Sequence, residues 1–376
     1  MWNKIGNKYL LLSRIGKGSF GEVFRCEEIS TKKKFAVKMA TNLEHEYTQL
    51  SNEISLYKHL QGSIGVPSIY WSGMHQEYSC LVMDLLGPSL DDLFKQQKNQ
   101  FSLKSVLMIA DQMLSRIEYL HKKGYVHRDI KPENFVFGTG ENASTLYLID
   151  FGLTKKYIDP KTKNHVPYRD HRPKVGTIRY ISVNTHLGIE QTRRDDLESI
   201  GYVLLYLLNG SLPWQGLPGN TPSIKSQNVA NSKLETPLES LCYGLPNEFY
   251  QYMKSVRALK YDEQPQYSEY RRIFRELFER ENMIFDNIYE WTPKTLTKCV
   301  KQTSSYSQVP TSRIVPTRSR PVNQCTQAKA EYKPLKAILG AQKERMSIAN
   351  VRMNNIITKP FVNDIKSIMD RSFKCQ

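Results

Sequence analysis

Short apolar runs separated by polar turn residues fill the first 85 positions of the chain. Residues 23–26 (VFRC) and 35–38 (FAVK) have the length and the composition of β-strands. Residues 49–57 instead place apolar side chains at helical intervals. The pattern therefore predicts a small N-terminal region, up to about Leu85, that consists of strands and one helix.

Helical spacing dominates from Leu90 to Phe285. Its clearest example begins near Asp196 and predicts a central buried helix. The apolar residues that define this helix are Leu197, Ile200, Val203, Leu204, Leu207 and Leu208. A short strand pair is expected at residues 135–137 and 146–149. The 376 residues suffice for a two-lobed α+β domain plus an extension, with a ligand cleft between the lobes.

The composition changes from about Thr292 onward. Residues 302–312 are rich in Ser, Thr and Gln and have few apolar anchors, which predicts disorder. Residues 297–376 contain 15 Lys or Arg and 4 Asp or Glu, so they carry +11 of the chain's net charge of +16. Residues 292–376 therefore form a basic tail. Three roles stay open for it: binding to an acidic surface, occupation of the protein's own anion sites, or no dedicated partner.

Two motifs carry the chemistry of the chain. Residues 127–134 read HRDIKPEN, and DFG follows at residues 150–152. Phosphoryl transfer to a hydroxyl needs a proton acceptor, a cation beside the phosphoryl group and oxygen ligands for Mg²⁺. Asp129 is the candidate proton acceptor and Lys131 is the candidate cation. Asn134 and Asp150 are the candidate metal ligands.

A glycine-rich segment lies upstream at residues 15–23, which read IGKGSFGEV. Glycines let the backbone approach phosphate groups closely. A dinucleotide-binding loop with this spacing would open directly into a helix, whereas the residues that follow here have the composition of a strand. The segment therefore predicts a hairpin that covers the phosphates of a nucleotide.

A lysine and a glutamate extend this predicted nucleotide site. Lys38 lies on the strand after the hairpin, where its ammonium group would hold the α- and β-phosphates. Glu53 lies on the predicted helix and is the expected ion-pair partner of Lys38. The alternative interpretation is that Glu53 belongs to a solvated helix face.

These motifs resemble those of eukaryotic protein kinases, and three further segments resemble the casein kinase 1 family. Residues 85–94 read LLGPSLDDLF, residues 182–191 read SVNTHLGIEQ where most kinases have Ala-Pro-Glu, and residues 193–202 read RRDDLESIGY. The resemblance implies a protein kinase domain at residues 9–291. Its N-lobe, residues 9–86, would be a small antiparallel β-rich lobe with one helix. Its C-lobe, residues 87–291, would be larger and helical, and residues 1–8 would form an N-terminal extension.

The same resemblance implies the cofactors ATP and Mg²⁺ and assigns the residues that bind them. Met83 would be the gatekeeper residue, and residues 84–86 would be the hinge whose backbone pairs with adenine. Asp196 would brace the catalytic loop. The implied ATP-binding residues are Ile15, Gly16, Lys17, Gly18, Ser19, Phe20, Gly21, Glu22, Val23, Ala36, Lys38, Glu53, Met83, Asp84 and Leu86.

The basic activation segment bears on substrate preference. Kinases usually fold such cations onto a phosphate of their own activation loop, whereas casein kinase 1 enzymes use them for the substrate. By resemblance, Arg128, Lys155 and Arg172 would form one anion pocket. Arg179 and Lys225 would form a second. Protein substrates would then carry an acidic or phosphorylated residue shortly before the target Ser or Thr; a generic basic surface is the alternative.

Two functional classes remain, an active serine/threonine kinase and a catalytically inactive scaffold on the same fold. Inactive kinases lack the phosphate-binding lysine, the catalytic aspartate or the metal aspartate, and this chain has Lys38, Asp129 and Asp150. We therefore expect an active enzyme, and by resemblance a monomer.

Location is inferred from what the sequence lacks. The six cysteines have no metal-ligand spacing, the N-terminus has no secretory pattern, and no apolar run is long enough to span a membrane. We expect an intracellular protein with reduced thiols, located in the cytoplasm, with the nucleus as the alternative.

Overall fold

The computed structural model describes residues 4–18, 21–41 and 44–293, with the backbone alone for residues 44–47. Within this part of the chain, the N-terminal lobe contains a six-stranded antiparallel sheet. Its strands are β1 Lys4–Ile5, β2 Tyr9–Gly18, β3 Gly21–Glu28, β4 Lys34–Thr41, β5 Ile69–His75 and β6 Tyr78–Asp84. Their order in the sheet is β1-β2-β3-β4-β6-β5.

The two faces of this sheet cover different cores. Val37 on β4 and Val82 on β6 are fully buried in a small cluster of the N-lobe. Ala36 and Met83, which pair across the same two strands, face the main core. Because side chains alternate along a strand, Lys38 shares the face of Ala36 and is directed toward the main core.

A short strand that the sequence pattern did not predict begins the sheet. Ile5 on β1 pairs with Tyr9 on β2, and both side chains are fully buried. A two-residue strand is too short to show an alternating pattern, so its burial comes from tertiary packing. The strand lies within residues 1–8, and the division of the chain at residue 9 remains a prediction.

One helix completes the N-lobe. This helix, α1 Glu44–Leu60, includes the segment that was predicted to be helical. Leu50, Tyr57 and Leu60 on α1 are almost fully buried and join the main core. The helix contacts β4 and β6, which places Glu53 beside the sheet.

The C-terminal lobe is mostly helical. Its helices are α2 Leu90–Gln96, α3 Leu103–Lys122, α4 Val183–His186, α5 Arg193–Asn209, α6 Pro222–Glu235, α7 Leu238–Leu241, α8 Asn247–Ala258 and α9 Tyr267–Arg280. Its short strands are β7 Tyr125–Val126, β8 Phe135–Phe137, β9 Leu146–Leu148 and β10 Lys155–Lys156. β8 pairs with β9, as predicted, and β7 pairs with β10.

The central helix of this lobe is α5. The apolar residues that predicted it are buried, and α5 packs against α3 and α8. The helix begins at Arg193, three residues before the predicted start, because Asp195 accepts a hydrogen bond from the backbone N–H of Thr192 at 2.7 Å and caps the helix. Gly210 ends it with a φ of +79°, a conformation that glycine adopts at little cost.

The predicted two-lobed α+β architecture is confirmed for the described residues. None of the helices in this part of the chain is long and apolar enough to cross a membrane. Cys26, Cys80 and Cys242 are buried free thiols. The predicted disorder and the partners of the basic tail concern residues that lie, except for residues 292–293, outside the described part.

Candidate active site

A buried lysine lies between two carboxylates in the cleft. The Nζ atom of Lys38 is 2.7 Å from Oε2 of Glu53 and 3.0 Å from Oδ1 of Asp150. Burial by itself would lower the pKa of Lys38, but Glu53 and Asp150 outweigh burial and raise this pKa above its ordinary value. Burial raises the pKa of Asp150, and Lys38 more than compensates, so the Asp150 pKa is lowered. Lys38 is therefore a fixed positive charge beside an ionised aspartate.

Helix α1 holds the segment that carries Asp150. Nε2 of Gln49 donates a hydrogen bond to the carbonyl oxygen of Gly152 at 2.9 Å. The backbone N–H of Asp150 donates to the hydroxyl of Tyr57 at 3.3 Å, and the ring of Tyr57 packs edge-on against Phe151. Gln49 and Tyr57 are the ends of the segment whose apolar spacing predicted this helix, but that spacing gave neither residue a role in the site.

The glycine-rich segment joins two antiparallel strands, as predicted, rather than a strand and a helix. Gly16 pairs with Val23, and Gly18 pairs with Gly21, between β2 and β3. Gly21 has a φ of +129°, and a Cβ atom there would lie 2.3 Å from the carbonyl oxygen of Met39. Only glycine fits this position. The two predicted site residues at the tip, Ser19 and Phe20, lie outside the described residues.

The predicted hinge follows β6 without a break. Met83 is opposite Ala36 across β4 and β6. The side chain of Asp84 accepts hydrogen bonds from the backbone N–H of Ser68 and the hydroxyl of Tyr70, both at 2.8 Å. The backbone N–H and carbonyl of Leu86 have no partner among the described residues. These two groups fit a planar ligand with one donor and one acceptor at its edge.

Hydrogen-bond donors from the HRDIKPEN loop and from Thr177 surround the side chain of Asp129. Oδ2 of Asp129 accepts from Nζ of Lys131 at 2.6 Å, and Oδ1 accepts from the backbone N–H and the hydroxyl of Thr177 at 3.0 and 2.8 Å. Asn134 donates from Nδ2 to the carbonyl oxygen of Asp129 at 2.8 Å. The structure thus brings together the three predicted catalytic residues and adds Thr177, which the motif did not contain.

Asp196 on α5 contacts the backbone at the start of the loop formed by residues 127–134. Its two carboxylate oxygens accept hydrogen bonds from the backbone N–H groups of His127 at 2.7 Å and Arg128 at 2.9 Å. Arg128 has a φ of +70°, a strained conformation for a residue with a side chain. Nε2 of His121 is 2.9 Å from the same carboxylate. The buried carboxylate of Asp196 therefore stabilises the strained backbone conformation at Arg128 through these hydrogen bonds.

The predicted donor set fits a nucleotide with Mg²⁺. Nδ2 of Asn134 donates a hydrogen bond to the carbonyl oxygen of Asp129, so the Oδ1 atom of Asn134 remains available to coordinate a cation. Asp150 adds a carboxylate, and both are oxygen ligands of the type that Mg²⁺ prefers. The described residues contain no cluster of three or more His, Cys, Asp or Glu side chains that could hold a metal. Mg²⁺ would therefore need phosphate oxygens as further ligands.

The three cations of the first predicted anion pocket lie around Glu190, a residue of segment 182–191 to which the sequence pattern assigned no role. Lys155 and Arg172 each lie 3.0 Å from Oε2 of Glu190, which is almost fully buried. Arg128 lies within electrostatic range of Glu190, and its Nε donates to the carbonyl oxygen of Leu153 at 2.6 Å. Burial raises the pKa of Glu190, but Lys155, Arg172 and Arg128 lower it below its ordinary value. Three cations around one carboxylate leave an excess of positive charge.

The second predicted pocket consists of Arg179 and Lys225, and no side chain in the described part of the chain forms a hydrogen bond or an ion pair with both of them. The guanidinium group of Arg179 lies over the rings of Tyr180 and Tyr206, at 5.7 and 5.5 Å from their centroids. Lys174, rather than Arg179, contacts helix α6, where its Nζ is 3.4 Å from Oγ of Ser226. Ser226 is adjacent to Lys225, so Lys174 is a further cation of this region that the sequence analysis did not assign.

Comparison with known families agrees with this geometry. A family model described as protein kinase domain matches residues 9–277. The chain belongs to the protein kinase family. Membership implies the use of ATP and of protein substrates.

Proposed function

We propose that this chain is a serine/threonine protein kinase of casein kinase 1 type. It transfers the γ-phosphoryl group of Mg-ATP to Ser or Thr in acidic or phospho-primed proteins. The observation that carries this proposal is the hydrogen-bonded carboxylate of Asp129, with Lys131 on one oxygen and Thr177 on the other. The same cleft holds the contact between Lys38 and Asp150.

Asp129 acts as the proton acceptor in this mechanism. Thr177 orients one carboxylate oxygen, so the carboxylate presents a defined edge to an incoming hydroxyl. Lys131 neutralises the other oxygen and lies next to the place where the phosphoryl group would transfer. A proton acceptor at hydrogen-bond distance from the hydroxyl contributes about 100- to 10,000-fold to such rates.

The nucleotide is held by the opposite side of the cleft. Lys38 supplies a permanent positive charge for the α- and β-phosphates, and Asp150 and Asn134 are the side chains that would hold Mg²⁺. The bound metal would neutralise negative charge on the phosphates. The glycine-rich hairpin excludes water, and the free backbone groups of Leu86 pair with adenine.

The preference for acidic or primed substrates rests on the cations around Glu190 together with the resemblance to casein kinase 1. The side chains of Lys155 and Arg172 are 37% and 42% exposed, so both can reach a ligand in solvent. A phosphate would make charge-assisted hydrogen bonds with them in competition with Glu190. Lys131, two residues after Asp129, favours Ser and Thr over Tyr by the same resemblance.

The decisive test replaces Asp129 by Asn. We expect Asp129→Asn to lower kcat by about 100- to 10,000-fold while the affinity for nucleotide stays within about twofold, since the change removes the proton acceptor and little binding surface. Asp262→Asn, at an exposed position of the C-lobe, is the matched control. Phosphorylation of a Ser peptide at the wild-type rate by Asp129→Asn would contradict the mechanism, and no turnover by the wild type would favour a scaffold.

Substrate class is tested with matched peptides that differ only before the target Ser: phosphorylated, acidic or neutral. We expect the primed peptide to have the highest kcat/KM. Arg172→Ala and Lys225→Ala should each reduce that advantage by about tenfold, the value of one charge-assisted contact, whereas Lys254→Ala on α8 should not. Equal rates on all three peptides would contradict the proposed specificity.

A further inference from the structure

A second buried lysine lies on helix α6, remote from every motif in the sequence. Lys233 is fully buried, and no carboxylate among the described residues forms an ion pair with it. Its Nζ instead donates hydrogen bonds to the carbonyl oxygens of Ile178 at 3.0 Å and Ile181 at 2.6 Å. A buried ammonium group without a counterion is costly, so this arrangement has to be maintained by the surrounding structure.

Aromatic side chains complete the site of Lys233. Nζ lies 4.9 Å from the ring centroid of Tyr202 and 5.1 Å from a ring centroid of Trp214, and such cation–π contacts partly replace lost hydration. Nε1 of Trp214 also donates to the carbonyl oxygen of Arg179 at 2.8 Å. Lys233 and Trp214 therefore hold three carbonyl groups of residues 178–181 from the core side.

The other end of this segment is held by the catalytic loop. The backbone N–H and the hydroxyl of Thr177 both donate to Asp129. The backbone N–H groups of Tyr180 and Ile181 donate to the carbonyl oxygen of Thr177. Residues 177–181 thus connect the proposed proton acceptor to the buried lysine through a short chain of hydrogen bonds. Any peptide that presents a hydroxyl to Asp129 has to lie beside this segment.

We propose that Lys233 is a positioning residue for protein substrates: it holds residues 177–181 in the conformation that orients Asp129 and receives the peptide, and it takes no part in nucleotide binding. This inference rests on the proposed kinase function. Lys233 touches neither the nucleotide cleft nor the anion pocket around Glu190 in the described residues. Its effect should therefore appear in the use of peptide and not in the affinity for ATP.

Charged groups from several elements face Lys233. Burial lowers the pKa of Lys233 to about 7, Glu198 on α5 raises it in part, and Arg257 on α8 lowers it further. His186 on α4 is also buried, and burial, together with Lys233 and Lys174, lowers its pKa to about 3. His186 is therefore neutral, and the site contains one lysine that titrates near neutral pH.

The test compares Lys233→Met with Lys254→Met, the same change at an exposed lysine of α8. Met keeps the length of the side chain and removes the donors, which leaves two buried carbonyls unpaired. We expect Lys233→Met to lower kcat/KM for peptide by about tenfold or more, while the dissociation constant for an ATP analogue changes by less than about twofold. Lys254→Met should match the wild type in both.

Two further variants separate positioning from general destabilisation. Lys233→Arg keeps donors and charge and should recover most of the peptide kcat/KM. Trp214→Phe removes the donor to Arg179 together with part of the aromatic surface that faces Lys233, and it should reduce the same parameter by about threefold. If Lys233→Met does not fold, Trp214→Phe decides the question. An unchanged peptide kcat/KM in Lys233→Met, or in Trp214→Phe, overturns the inference, and so does an equal loss of nucleotide affinity.

Hydrogen exchange gives a readout that does not need activity. In the full-length chain, the amide protons of residues 177–181 should exchange faster in Lys233→Met than in the wild type and in Lys254→Met. Suppose that the wild type phosphorylates no peptide while residues 177–181 still exchange faster in Lys233→Met than in the wild type. That result would refute the kinase proposal and keep the positioning role of Lys233. Equal exchange in all three proteins would refute the positioning role by itself.

Discussion

Two buried lysines, one in each lobe, have opposite electrostatic surroundings. Lys38 lies between the carboxylates of Glu53 and Asp150, which raise its pKa. Lys233 lies among backbone carbonyls and aromatic rings, and burial lowers its pKa to about 7. The first site stabilises a permanent charge, and the second site stabilises a set of hydrogen bonds.

The difference indicates two ways in which a buried lysine serves one active site. A phosphate ligand needs a cation whose charge does not vary with pH, and two carboxylates guarantee that charge. A backbone segment needs donors at defined positions, and a neutral amine still provides two of them. In the proposed mechanism, charge therefore organises the nucleotide side of the cleft, and hydrogen-bond geometry organises the peptide side.

Among the changes that test the contrast between the two lysines, Lys38→Met should have the largest effect. This change removes the cation that we propose for phosphate binding and leaves Glu53 buried without its partner. We expect peptide kcat/KM to fall by about 100- to 1000-fold, with weaker binding of an ATP analogue. Lys233→Met should affect peptide use alone. Steady-state kinetics and nucleotide titration on both variants check the contrast. Retained ATP affinity in Lys38→Met would contradict the assignment of nucleotide binding to Lys38 and of peptide positioning to Lys233.

A smaller effect is expected from Glu53→Gln. The amide keeps the shape of the side chain but removes one of the two negative charges beside Lys38, and the contact of Lys38 with Asp150 remains. We expect a loss of about tenfold in kcat/KM, since one charged hydrogen bond becomes a neutral one. Glu239→Gln on the exposed surface of α7 is the matched control. A loss as large as that of Lys38→Met would mean that Asp150 cannot hold the lysine alone.

The smallest effect concerns stability and pH. The folded-state pKa of Lys233 is about 7, below that of an unfolded lysine, so the unfolded chain binds more protons above pH 7. The contribution of Lys233 to the free energy of unfolding should then rise with pH, by about 1 kcal/mol per unit between about pH 7 and pH 9. Denaturant unfolding of wild type and Lys233→Met measures this difference.

Lys38 provides the control for the pH measurement. Its folded-state pKa is raised, so its stabilising contribution is complete below the pKa of an unfolded lysine and is lost only at higher pH. In a Glu53→Gln background, which lacks the buried carboxylate that Lys38→Met would leave unpaired, the difference in unfolding free energy with and without Lys38→Met should therefore be flat over the range in which that of Lys233→Met changes. Parallel curves for the two variants would contradict the opposite pKa shifts.

Most of the fold could be predicted because its elements are long and periodic. The strands around residues 23–26 and 35–38 and the buried helix α5 follow the hydrophobic pattern directly. The strand β1 did not, since two residues show no period. Similarly, the capped start of α5 at Arg193 depends on a hydrogen bond from Thr192 to Asp195 that no hydrophobic pattern contains.

By itself, the sequence determined the class of protein and the candidate groups of its cleft, because the motifs at residues 127–134 and 150–152 place several of those groups within a few positions of one another. Only the tertiary structure decided how those groups are held. Thr177 lies 48 positions after Asp129, Glu190 lies 35 after Lys155, and Lys233 lies 52 after Ile181. Partners at such separations have no fixed spacing, because folding selects them by the geometry of packed helices and loops and not by their order along the chain.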